Sequence, residues 1–400
     1  MKGVFSHQTY QNILLFGLLI SGSIKPFMNY YGVPFDVTLL FLMAIFIDII
    51  FCVYIGKKNP LNKTQVFYLA LIFIFYLLCI MTLFYTVSNA YGYQKAIFMS
   101  IPILGFTYPI FIKEIKWELL YKTIKYVIVP VSIWFILFRL LWSSNFTQLD
   151  FIIDKSKFSI IRKEYLQLGY LLGISILLAW KHSNNRINSI ALFLVLILGL
   201  GSRGSLIFTI LCIAVFYHKH IITNILKLKL RKKALKRGIL FSLPFFILAV
   251  IFFNKVLIFI RNGLARFSSL VDFTSDTSSS ERIDQYLFAF EKVISFQGMT
   301  IGYGLGSWGF LYTGKDMKLY PHNILLEAWI ELGFFSAIFL AFFFFTPFLL
   351  KRVTLAKTIA LYALLNAMKS SSFAYDRNLF IIFGILVFSG IHLEKELSNQ

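Results

Sequence analysis

The sequence is short of charge, of acid and of cysteine. Only 14% of its 400 residues are charged, against roughly a quarter in an average soluble domain. That excludes an ordinary water-facing surface. The three cysteines, Cys52, Cys79 and Cys212, all fall inside apolar stretches. They read as small buried apolar residues, which excludes a disulfide framework and argues against a metal site. The apolar runs show no strand-like alternation, so nothing supports a closed barrel. The first of them, Ile13 to Phe27, lacks a small-x-small cleavage site and contains Lys25, so it reads as a retained helix and not a signal peptide.

Apolar residues dominate instead: 58% are hydrophobic, 18% aromatic, and the mean hydropathy is +0.76. Lipid offers no partner for backbone N–H and C=O groups, so such a chain crosses a bilayer as helices. The expected fold is all-α, a single membrane domain over 1–400 with about twelve transmembrane helices. Apolar segments lie near 11–28, 33–55, 66–86, 95–112, 123–142, 164–180, 189–202, 204–218, 239–260, 324–350, 356–372 and 377–393. Only Gly201-Ser202-Arg203-Gly204 separates the seventh from the eighth, the pattern of a tight hairpin.

A net charge of +21 would suit a nucleic-acid partner, but its distribution does not. With both termini cytoplasmic, more than half of the 39 lysines and arginines fall on inner segments. The densest cluster, 227–237, is short and juxtamembrane, where basic residues set orientation. The expected location is thus a membrane, with membrane lipid and not nucleic acid as the surrounding partner. The one long outer loop is 261–321. Within it Ile283, Leu287, Phe288, Val293 and Ile294 recur at helical spacing after Glu281, which predicts a short amphipathic helix lying on the membrane.

Three outer residues could carry chemistry. Arg203 sits between two apolar spans, where a charge costs at least ~2.5 kcal/mol. Its planar fork suits the oxygens of a lipid diphosphate, and snorkelling to the interface is the alternative. Arg282 opens the loop helix, with a salt bridge to Glu281 or Asp284 as the alternative. His322, in Tyr320-Pro321-His322-Asn323, is the outer one of the six histidines and suits a general base. A helix-entry histidine behind a turn proline is its plain reading. Gly304-x-Gly306-x-x-Gly309 matches a dinucleotide-binding pattern, but no βαβ unit surrounds it. These glycines read as a close backbone approach to a ligand or as a tight turn. Asp36, Asp48, Arg139 and Lys255 are too few for a relay, which weighs against a proton-driven transporter.

Gly-Ser-Arg-Gly (201–204), a basic inner loop, Glu-Arg-Ile (281–283), Gly-x-Gly-x-Gly (302–306) and Pro-His-Asn-x-x-Leu-Glu (321–327) follow one another in that order. This succession resembles the bacterial O-antigen polymerase and O-antigen ligase superfamily over about residues 190–340, with Tyr91-Gly-Tyr-Gln-Lys95 also similar. The resemblance implies an inverting, metal-independent glycosyltransferase with no cofactor, using an undecaprenyl-diphosphate-linked oligosaccharide as donor. It implies that Arg203 and Arg282 hold the diphosphate and that His322 deprotonates or orients the acceptor hydroxyl. Gly304, Gly306, Tyr320, Asn323 and Glu327 line the substrate site on the same basis, with loop 261–321 forming part of it. A chain-length regulator protein is a further candidate partner. Leu325 to Gly333 leans the resemblance towards a polymerase, and the histidine favours a ligase. A polysaccharide flippase or transporter is the reading from another class.

Overall fold

The computed structural model describes residues 6–55, 61–142, 161, 163–183, 185–225, 277–350 and 354–388. The basic cluster 227–237, the ninth expected span 239–260, Lys255 and the loop residues 261–276 lie outside the described residues. Among those described, the chain is helical and contains no strand. It divides into two compact units, one of 1–21, 36–116 and 274–400, the other of 22–35 and 117–273.

In chain order the helices are α1 (His7–Tyr30), α2 (Val37–Tyr54), α3 (Lys63–Met81), α4 (Tyr91–Thr107), α5 (Trp117–Thr123), α6 (Val129–Trp142), α7 (Tyr165–His182) and α8 (Arg186–Leu200). They continue as α9 (Arg203–Ile225), α10 (Thr277–Ile294), α11 (Phe296–Met299), α12 (Ser307–Thr313), α13 (Ile324–Leu332), α14 (Phe334–Phe345), α15 (Thr354–Ser370) and α16 (Arg377–Phe388). Among the described residues four helical stretches are long and apolar enough to cross a bilayer: His7–Tyr30, Val37–Tyr54, Lys63–Phe84 and Trp117–Arg139. Arg186–Leu200, Arg203–Phe216, Phe334–Leu349 and Arg377–Phe388 are apolar but shorter. The described residues thus do not by themselves show twelve spans.

One cause is visible at 324–350. The unbroken apolar run reads as one span, yet it forms two helices, α13 and α14, hinged at Gly333 with φ 87°. A side chain there would strike the backbone of Thr300 and Ile301, and Gly302 (φ 74°) lies against Glu331 and Gly333 from the other side. Two glycines let the segment 300–304 lie against α13, where Tyr303 N–H donates to Ile330 C=O and Gly304 N–H to Glu331 C=O, each at 2.8 Å.

The long loop is largely helical where it is described. Helix α10 has two apolar faces. Ala289 and Val293 pack with Trp308, Leu326 and Ile330, joined by Tyr286, Phe288 and Trp329 at the edge. Ile283, Leu287 and Ile294 remain outside, Leu287 at 65% and Ile294 at 74% exposure. Of the residues expected on one lipid-facing stripe, Phe288 and Val293 thus turn inward, because Trp308 and α13 offer them a core. This core is what brings the helix of Arg282 against the helix that follows His322.

In the second unit, α8 ends at Gly201 in the left-handed region (φ 72°), and Ser202 N–H reaches back to Ile197 C=O at 3.3 Å. The expected hairpin between the seventh and eighth spans therefore forms. Ser202 Oγ donates to Ser205 Oγ at 2.9 Å, and Arg139 Nη1 donates to Leu200 C=O at 3.3 Å.

Candidate active site

Asn323 starts α13 as its N-cap, its Oδ1 accepting from Leu325 N–H and Leu326 N–H at 3.0 Å each. Both side-chain acceptor positions face the helix end, so Asn323 sets where the helix begins and where His322 stands just before it. His322 itself has φ 56°, and it is the one non-glycine residue with positive φ among the described residues. That conformation is uncommon outside glycine and needs support from its surroundings. Tyr320 supplies part of it, meeting the imidazole edge-on with ring centroids 5.0 Å apart and planes at 69°.

Tyr320 is also where several charges converge. Burial raises its hydroxyl pKa first, the Glu327 and Asp376 carboxylates push it further up, and the Arg282 guanidinium pulls it down. Arg282 is thus within electrostatic reach of the residue that meets His322 edge-on. Among the described residues it makes no ion pair with Glu281 or Asp284, so the salt-bridge alternative does not account for it. Arg282 is half-buried on α10, beside Tyr286.

Lys318 adds a further cation, its Nζ 3.7 Å from the centre of the Tyr375 ring. Burial lowers its pKa. Tyr375 precedes Asp376, one of the charges acting on Tyr320. Neither Lys318 nor Tyr375 was marked by the sequence, since a lysine in a loop and a tyrosine 57 positions later carry no shared motif.

Glu327 has no exposed surface. Its Oε1 accepts from Lys95 Nζ at 2.6 Å and Ser372 Oγ at 2.7 Å, and its Oε2 from Phe373 N–H at 2.9 Å. Both oxygens are taken, so Glu327 faces the protein interior and not a substrate. Glu331, one turn later and also fully buried, accepts from the same Lys95 Nζ at 2.6 Å and from Gly306 N–H at 3.0 Å.

The glycine run is explained by packing. A side chain on Gly304 would strike Thr86, and one on Gly306 would meet Gly92 at 2.8 Å. Their bareness lets backbone lie on backbone, and both glycines are buried. Nearby, Asp316 closes the start of α4: its Oδ1 accepts from Ser88 Oγ at 2.6 Å and its Oδ2 from Ala90 N–H at 2.7 Å. Partial burial works against its ionisation, but these donors prevail and hold its pKa below the ordinary value.

Arg203 belongs to the second unit. It is the first residue of α9, half-buried behind the Gly201-Ser202 turn. A cation at a helix N-terminus gains nothing from the helix dipole, and its charge adds to the partial positive charge of that helix end. Such a combination favours anions.

Elsewhere in the first unit, Asp48 accepts from Gln11 Nε2 and Tyr108 OH at 3.0 Å each, and its Oδ1 lies 2.7 Å from His7 Nε2. Cys52 Sγ accepts from Gln11 Nε2 at 3.3 Å. Cys52 is therefore part of a polar cluster, not the purely apolar residue its surroundings in sequence imply. His7, Asp48 and Cys52 place ligand atoms within 4.8 Å of one another. The carboxylate is already supplied with donors from the protein, Gln11 and Tyr108 among them.

No curated protein matches the chain. Residues 188–341 match the family model described as O-antigen ligase. The match spans the Arg203 hairpin, helix α10 with Arg282, the 302–306 glycine run and His322 with α13. Over this segment, less than half of its length, the chain is similar to the O-antigen ligase family.

Proposed function

We propose that the protein is a glycosyltransferase of the outer face of the plasma membrane, joining undecaprenyl-diphosphate-linked oligosaccharide units into a polysaccharide. The observation that carries this reading is that one family match takes in Arg203, Arg282 and His322 together. Two observations support it: Arg203 stands at a helix start, and Tyr320, whose pKa the Arg282 charge lowers, meets His322 edge-on.

In this reading the acceptor hydroxyl attacks the anomeric carbon from the face opposite the leaving group. The carbon–oxygen bond to the diphosphate breaks, and the lipid diphosphate departs with the bonding electrons. His322 takes or directs the hydroxyl proton, while Arg203 and Arg282 balance the charge gathering on the diphosphate. The chemistry needs positioning and charge stabilisation and calls for no metal or cofactor. Tyr320 orients His322, Asn323 fixes its position, and Gly304, Gly306 and Glu327 build the wall behind them. Both termini lie on the cytoplasmic side, and a chain-length regulator is a candidate partner.

Replacing Arg282 with alanine is expected to abolish long chains while protein levels stay unchanged. An unaltered chain-length distribution in that variant would remove Arg282 from the mechanism. The family description favours an O-antigen ligase as the second reading. Deletion separates the two: loss of a polymerase leaves single lipid-linked repeat units, whereas loss of a ligase leaves long chains still on the lipid. Purified protein given lipid-linked oligosaccharide and forming no glycosidic bond would point instead to a transporter.

A further inference from the structure

Lys95 is fully buried and lies on α4, far in sequence from every residue assigned above. Its Nζ bridges Glu327 and Glu331 at 2.6 Å each, and lies 4.5 Å from the centre of the Phe373 ring. The two carboxylates stand four residues apart, on one face of the nine-residue α13. Their remaining partners come from elsewhere: Ser372 and Phe373 N–H from the link between α15 and α16, and Gly306 N–H from the glycine run. A single ammonium therefore gathers α4, α13, segment 302–306 and segment 372–376.

Those are the segments that carry the outer site. His322 and Tyr320 lead into α13, and Tyr375 and Asp376 lie two and three residues after Phe373. Asp316 is tied to the start of α4 itself. A carboxylate buried without a cation or full hydrogen bonding is strongly disfavoured, so the position of Lys95 dictates where α13 can rest. Glu331 Oε1 has no hydrogen-bond partner, which makes the lysine and Gly306 N–H the donors that carboxylate has.

We infer that Lys95 is a positioning residue for the glycosyl transfer: through Glu327 and Glu331 it fixes α13, and thereby His322, at the height and rotation the reaction needs. The inference rests on the proposed glycosyltransferase reading. Lys95 has no exposed surface and touches no substrate, so its loss acts on turnover and not on donor affinity. Misplacing a catalytic group by about 1 Å costs on the order of 100-fold in rate.

The test uses the full-length protein in lipid nanodiscs with undecaprenyl-diphosphate-linked oligosaccharide. It reads kcat and KM together with amide hydrogen exchange over 320–332. Lys95→Met is expected to lower kcat by about 100-fold with KM for the donor changed less than threefold, and to speed exchange over 320–332 selectively. Glu331→Gln, which keeps the Lys95–Glu327 pair but weakens the second tie, is expected to lower kcat less than Lys95→Met does, with exchange again faster over 320–332 alone.

Should Lys95→Met fail to accumulate, the uncharged variant Lys95→Met/Glu327→Gln/Glu331→Gln leaves no unpaired ion, and the same slow turnover and selective exchange are expected of it. Three outcomes overturn the inference: unchanged kcat, slow turnover with unchanged exchange over 320–332, or faster exchange throughout the protein. The exchange arm needs no activity. If the parent protein forms no glycosidic bond, the glycosyltransferase reading falls, while selective exchange over 320–332 still decides whether Lys95 holds α13.

Discussion

Tyr320 meets His322 edge to face, with ring centroids 5.0 Å apart, two residues before the helix that both introduce. An edge-to-face contact of this kind contributes about 0.5–1.5 kcal/mol beyond the area it buries. That is enough to hold an imidazole whose backbone is in the left-handed region. The ring, and not the hydroxyl, makes the contact. Tyr320→Phe is therefore expected to retain turnover within threefold, and Tyr320→Ala to lose roughly tenfold or more, the equivalent of about 1.4 kcal/mol. Initial rates of glycosidic bond formation measure both, and equal rates in the two variants would dissociate the ring from the mechanism.

Arg203 offers a sharper chemical contrast. If it grips a diphosphate by its planar fork, a lysine keeps the charge but loses the paired geometry. Arg203→Lys is expected to lower kcat/KM by about 10- to 100-fold, or about 1.4–2.7 kcal/mol. A snorkelling arginine would tolerate the exchange. Full activity in Arg203→Lys thus supports the snorkelling alternative.

Asp316 makes the start of α4 sensitive to acid. Its native pKa is held below the ordinary 3.8 by Ser88 and the α4 amides, after the opposing effect of burial. A depressed acid stabilises the fold fully above the ordinary value, and that contribution disappears as pH falls through the native value. Melting temperature is expected to drop below about pH 4. Asp316→Asn should cost about 1 kcal/mol at neutral pH, as loss of a helix cap does, and should flatten this acid response. An Asn variant as stable as the parent at pH 7 would show the cap to be dispensable.

Gly304 separates packing from ligand contact. Its φ of 88° and its closeness to Thr86 make a methyl group doubly unwelcome. Gly304→Ala is expected to cost more than ~2 kcal/mol, combining left-handed strain with overpacking. The loss should appear as a lower melting temperature and yield, with KM for the donor preserved in whatever folds. A raised KM at unchanged stability would return the glycine run to the substrate surface.

Much of the site was legible because it is written in local signals. Gly201 between two apolar runs announces the hairpin, and Pro321-His322-Asn323 announces a helix start. The apolar period after Glu281 announces α10. What stayed hidden depends on distance and on backbone angles. Lys95 and Glu327 are 232 residues apart in sequence, and neither side of that pair names the other. Two acids at i and i+4 in an apolar helix were a usable hint, since one face cannot bury both without a cation. The break at Gly333 is invisible to hydropathy, because φ carries no polarity. The double face of α10 depends on Trp308, which lies on another helix.

The hinge at Gly333 also separates two helical phases. In a continuous helix each added residue turns everything beyond it by about 100°. Helix α13 takes its azimuth from Lys95 and from the 303–304 backbone, so an alanine inserted within 334–345 would turn α14 and leave His322 facing as before. The apolar half of this segment can then drift in length between related chains without retuning the polar half.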